Sequence, residues 1–124
     1  MPGTKVLYFT ERDVEFVNLL IKIGLPRTVA TVLVFLANTR EASSRDIERG
    51  TDLRQPEVSL GMQYLQSQGW ISSRLEKTES IGRPQNLFRL SRPIAEIIDY
   101  IQQEKEKEIR RKIALTQKIR DYLP

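Results

Sequence analysis

Between Ser43 and Gly69 the chain must start a helix, end it, turn and start another within 27 residues. In "SSRDIERG" the Ser43 hydroxyl can accept from free backbone N–H groups, and Asp46 can reach back from three residues on, the spacing of a capping box. A short helix carrying Ile47 inward and ending near Gly50 follows. In "TDLRQPEVSLGMQYLQSQGW" Leu53, Val58, Met62 and Leu65 keep helical spacing. Pro56 falls in a first turn, where its missing N–H costs little, and Gly69 follows the last turn. A second helix from about Gln55 to Gln68 is specified.

The flanking segments supply the rest of the elements. "TERD" repeats the capping-box spacing through Thr10 and Asp13 and opens a helix that stops at Gly24, ahead of Pro26. That helix has apolar residues on more than one face (Phe16, Val17, Leu19, Leu20, Ile21, Ile23), so it is either deeply buried or shared with a partner. Pro26 pre-sets the first turn of the next helix, in which Val29, Val32, Leu33 and Leu36 recur at core spacing up to Asn38. Beyond Gly69, "WISSRLEK" and "NLFRL" read as a two-stranded hairpin around the polar loop "TESIGRPQN". From Ile94 the helical pattern returns and runs to Tyr122, roughly 43 Å if continuous. Its isoleucines (Ile94, Ile98, Ile101, then Ile109, Ile113 and Ile119) flank a charged gap, in which Glu106 with Arg110 and Glu108 with Lys112 have the favourable i,i+4 orientation. A helix that long outreaches a domain of about 90 residues, so its far end needs something else to pack on.

The composition narrows the chemistry. With neither histidine nor cysteine in the chain, the commonest general base, the thiolate nucleophile and the usual zinc ligands are missing. No nucleophile and base pair or phosphate loop appears, so no enzyme, cofactor or metal is expected. No apolar run of 18 residues and no signal pattern is present, which leads to the expectation of a cytoplasmic protein away from membranes. The net charge of +4 and pI near 9.6 suit an anionic partner. The excess is local: residues 71 to 93 carry five basic and two acidic side chains, whereas residues 42 to 69 carry three and four.

The order of elements, and the residues Ser43, Asp46, Ile47, Leu53, Gln55, Pro56, Val58, Ser59, Gly69, Trp70 and Ile71, resemble the winged helix-turn-helix of MarR-like and TrmB-like transcriptional regulators. "GRPQNLFRLS" resembles the wing tip and return strand of such regulators, with Phe88 and Leu90 in core places. Residues 94 to 124 match only in kind, many of these regulators dimerising through a C-terminal helix. The resemblance implies a mainly α fold with a small β-hairpin wing: a tail over residues 1 to 9, a winged helix-turn-helix DNA-binding domain over 10 to 93 and a dimerisation helix over 94 to 124. Two departures stand out. Glu48 replaces a small residue between the two helices, and Asp52 replaces the turn glycine, tolerable because aspartate visits the left-handed region more readily than most residues.

What the resemblance implies for function is sequence-specific binding of double-stranded DNA by a homodimer. The start of the helix at 55 to 68 would enter the major groove, with Arg54, Gln55, Glu57, Ser59 and Gln63 as candidates for base or phosphate contact and Arg45 for a phosphate. Leu60 and Gly61 stand where a basic residue is common and Glu57 faces the same surface, so the wing is expected to supply more of the affinity than usual. There Gly82 and Pro84 would project Arg83 into a narrow A·T-rich minor groove or onto phosphate. The triplet "GRP" also looks like an AT-hook core without its flanking basic residues. Arg74, Lys77 and Arg89 would support Arg83 along the strands. The isoleucine stripe could pack internally, form a coiled coil or bind a partner; an isologous dimer is the simplest outcome, built from Ile94, Ile98, Ile101, Ile109, Ile113 and Ile119 with Phe16 and Leu20 of the first helix. The rival reading is a winged-helix module that binds protein and not DNA, favoured by Glu48, Asp52 and Glu57. A small-molecule effector is not specified.

Overall fold

The computed structural model describes residues 9–77 and 84–124. The elements run α1 (Glu11–Lys22), α2 (Arg27–Ala37), α3 (Ser44–Gly50), α4 (Gln55–Ser67), β1 (Ile71–Lys77), β2 (Pro84–Leu90) and α5 (Ile94–Arg120). They fall into two units, one ending at Pro93 and the other spanning Ile94–Pro124.

Four helix boundaries in the first unit have clear local causes. Thr10 and Ser43 cap α1 and α3 with complete capping boxes closed by Asp13 and Asp46. The Asp13 carboxyl is held below its ordinary range, first because it accepts from the Thr10 backbone N–H. Its second oxygen accepts from the Asn38 side-chain amide at 3.0 Å, which ties the start of α1 to the end of α2. At their C-termini α1 and α4 close the same way. Gly24 and Gly69 take positive φ (115° and 75°), and the next residues, Leu25 and Trp70, donate back to Leu20 and Leu65. This is a Schellman pattern, and its apolar partners Leu20, Leu25, Leu65 and Trp70 are all buried. No non-glycine residue among those described has positive φ. Asp52 therefore makes its turn without the left-handed conformation expected of it.

The core is built around α2, where eight consecutive residues, Val29 to Leu36, are buried. The sequence pattern assigns this helix a single stripe. In the structure it is enclosed on all sides, contacting α1, α3, α4 and β2. Two glycines allow that enclosure. A Cβ at Gly61 of α4 would stand 3.0 Å from Val32 Cγ2 and 3.1 Å from the Thr28 carbonyl oxygen, and a Cβ at Gly50 would overlap the Phe35 ring. Gly61 thus marks a near-backbone approach of α4 to α2, a closer explanation than the loss of a basic residue.

β1 and β2 pair antiparallel from Ile71 opposite Leu90 to Lys77 opposite Pro84. A third short piece joins them, with Ala42 and Phe88 exchanging backbone hydrogen bonds of 2.8 and 2.9 Å. The inward residue of β2 is Leu87; Phe88 and Leu90, expected in the core, are only half-buried.

The second unit is one unbroken helix of 27 residues. Ile97 and Ile101 are buried in it, and from Ile109 onward every residue is exposed. In the charged gap the ion pairs are Glu104 with Lys107 and Lys105 with Glu108, at i,i+3. These replace the i,i+4 pairs expected of Glu106 and Glu108.

Candidate nucleic-acid interface

α4 presents one outward line. Residues spaced three and four apart share a helix face, and Pro56, Ser59, Leu60, Gln63 and Ser67 are all exposed on it, opposite buried Val58, Gly61, Met62 and Leu65. None of the outward residues is charged. Gln55 lies at the helix start and is exposed, as is Arg54 at the N-cap.

Glu57, expected to meet a base, is engaged elsewhere. Its carboxylate accepts from the Arg54 backbone N–H at 2.9 Å, and the side chain is half-buried on the flank of the helix. Asp46 does the same for α3 through the Ser43 N–H. Two of the four acids in this segment therefore offset the partial positive charge of helix N-termini. The basic residues are placed differently: Arg45, Arg49 and Arg54 are exposed, and among the described residues none of the three is in an ion pair. Arg49, four residues after Arg45 on the same face of α3, was not a candidate in the sequence reading. The i,i+4 spacing of two arginines on a capped helix was the signal available for it.

Arg74 departs from its expected role. Its guanidinium donates to both Glu41 carboxylate oxygens, Nε at 2.6 Å and Nη2 at 2.8 Å, and also lies 3.7 Å from Glu76. This fork geometry holds the Glu41 carboxyl below its ordinary range and raises the arginine. Arg89 and Arg40 add longer-range attraction to Glu41. In this structure Arg74 is a strut between β1 and the segment before α3, its Nε and Nη2 committed to Glu41 while the side chain stays 53% exposed. Lys77 sits exposed at the end of β1. Arg83, together with Gly82, lies outside the described residues.

Of the expected interface residues, Leu20 is 4% exposed and Ile101 5%. Phe16, Ile94 and Ile98 are half-buried, while Ile109, Ile113 and Ile119 are exposed, joined by Leu115, Tyr122 and Leu123. On α1 and its C-cap the exposed apolar residues are Val14, Leu19 and Ile23. Among the described residues there is no cluster of three potential metal ligands, and no helix is long and apolar enough to cross a membrane.

The arrangement of a capped helix, a turn, an outward-facing second helix and a β-hairpin defines a winged helix-turn-helix fold. Solved structures agree. A possible transcriptional regulator from Methanosarcina mazei Go1 superposes with a TM-score of 0.61 at 14% identity, over 90% of this chain and 89% of that one. TrmBL2, an archaeal chromatin protein with a novel mode of DNA binding, superposes with a TM-score of 0.66 at 15% identity. The match covers 89% of this chain, which spans only 40% of TrmBL2. No protein-family model matches the chain, and no curated protein sequence matches it.

Proposed function

We propose that this chain is a transcriptional regulator that binds double-stranded DNA without catalysing a reaction, placing the start of α4 in the major groove. The observation that carries this reading is the outward line of α4. It is free of acidic groups, starts at the exposed N-cap Arg54, and follows a helix, α3, that carries the exposed cations Arg45 and Arg49. Such a surface can enter a groove while the arginines meet phosphates on either side. Gln55 and Gln63 have the paired donor and acceptor that suit an adenine edge, and Arg54 suits guanine. Lys77 and Arg83 extend the contact through the wing, Arg83 reaching the minor groove or a phosphate.

The regulator acts as a homodimer. Support comes from the end of α5 and the residues after it, where Ile109, Ile113, Leu115, Ile119, Tyr122 and Leu123 are exposed. Two copies would present two α4 helices to half-sites about one DNA turn apart. Truncation after Glu108 tests the dimer, because it removes exposed Ile109, Ile113 and Ile119 and spares buried Ile101. Sedimentation should show the shortened chain as a monomer; a persistent dimer would move the interface to α1.

Binding of a labelled duplex at several salt concentrations tests the whole reading. Counterion release predicts a log–log slope of about −0.9 per neutralised phosphate, hence several units in all. Absence of binding at low salt would sink DNA binding and leave the protein-binding module as the reading to pursue. Arg83→Ala should weaken binding most on A·T-rich flanks, and equal loss on all sequences would reduce Arg83 to a phosphate contact.

A further inference from the structure

Leu60 is 60% exposed at the middle of the outward line of α4, between Pro56, Ser59 and Gln63. A lone exposed leucine is ordinary on a protein surface. What distinguishes this one is its place, on the face that the proposed function turns toward the floor of the major groove, with no charged residue on the same line.

That lack of charge limits what the face can read. Guanine is recognised chiefly by Arg or Lys donating to O6 and N7, and the outward line has neither. The major-groove features that match an isobutyl group and an amide are different ones. A thymine C5-methyl takes an apolar contact, and an adenine edge takes a bidentate glutamine, whose oxygen accepts from N6–H while its NH2 donates to N7. Gln63 lies three residues after Leu60, one step along the same face, so the two side chains address neighbouring positions in the groove.

Resting on the major-groove placement of α4, we infer that Leu60 is a specificity-determining residue that packs on the C5-methyl of a thymine, with Gln63 reading an adenine next to it. The α4 face is thus selective for A·T steps, and Arg54 at the helix start is left to read guanine at the edge of the site. Gly61, the next residue, faces α2 so closely that a Cβ there would stand 3.0 Å from Val32 Cγ2 and 3.1 Å from the Thr28 carbonyl oxygen.

The test uses the full chain to select duplexes from a random pool, after which each thymine of the selected site is replaced singly by deoxyuridine, deleting only the C5-methyl. In the unaltered protein one thymine per half-site should be sensitive, its replacement weakening binding about fourfold, the worth of one buried methyl-sized group. Leu60→Ala should bind with the same salt slope but lose that sensitivity, and Leu60→Met should keep it. Selected sites without thymine, insensitivity at every thymine, or equal sensitivity in Leu60→Ala would each overturn the assignment while leaving DNA binding standing. Failure to select any duplex at low salt would overturn both.

Discussion

α2 and the second half of α5 are both rich in large aliphatic residues, yet those of α2 are inside and those of α5 outside. Val29 to Leu36 are buried without a break, whereas Ile109, Ile113, Leu115 and Ile119 are each more than half exposed. Apolar content alone cannot separate them. The separation comes from neighbours: α2 is short, carries no charged residue after Arg27 and has α1, α3, α4 and β2 around it. The end of α5 has lysines and arginines between its apolar residues and no other element of its own unit to pack on. The apolar residues of α2 serve folding, whereas those at the end of α5 stay on the surface.

The sharpest way to break that contrast is the same kind of truncation in each helix. Leu33→Ala removes a fully buried side chain from α2 and should cost about 2–5 kcal/mol in urea denaturation. Ile119→Ala, from a side chain 63% exposed, should leave the dilute monomer within about 0.5 kcal/mol. If the two changes cost the same at the lowest concentration, the contrast is wrong. Gly61→Leu probes the enclosure of α2 from the other side, and should lose about 1–3 kcal/mol by pushing α4 off Val32 and Thr28. Ser43→Ala removes the cap of α3 and should cost about 1 kcal/mol by the same measurement.

The smallest effect is electrostatic. Asp13 has its folded-state pKa lowered below 3.8 by the Thr10 backbone N–H. A carboxylate shifted that way favours the folded state above its unfolded pKa, and the advantage fades as the pH falls through the folded value. Asp13→Asn should therefore melt slightly below the unaltered protein at neutral pH and match it in strong acid. A gap that persists in acid would assign the loss to hydrogen bonding and not to charge.

Much of the helical frame was legible because local rules set it. The two capping boxes, the prolines at Pro26 and Pro56 and the glycines at Gly24 and Gly69 each act within a few residues. The burial of α2 on every side was not legible, since a pattern of apolar residues does not say how many elements will surround them. The candidate site was harder for a related reason. Glu57 and Arg74 were read by residue type as available charges, but availability depends on partners: the Arg54 N–H next to one, and Glu41, distant in sequence, beside the other. Arg49 and Leu60 gained meaning only once the outward faces of α3 and α4 were fixed by what lies behind them.

The join between Ala42 and Phe88 has a mechanical result. Ala42 immediately precedes the cap of α3, and Glu41 beside it grips Arg74 of the hairpin. Two backbone bonds and a two-pronged ion pair thus clamp the middle of the hairpin to the front of the helix-turn-helix. A torque applied to the strands would be passed through this clamp to the start of α3. The hairpin and α3 would then settle on a surface in a single registration, the angle of one setting the reach of the other.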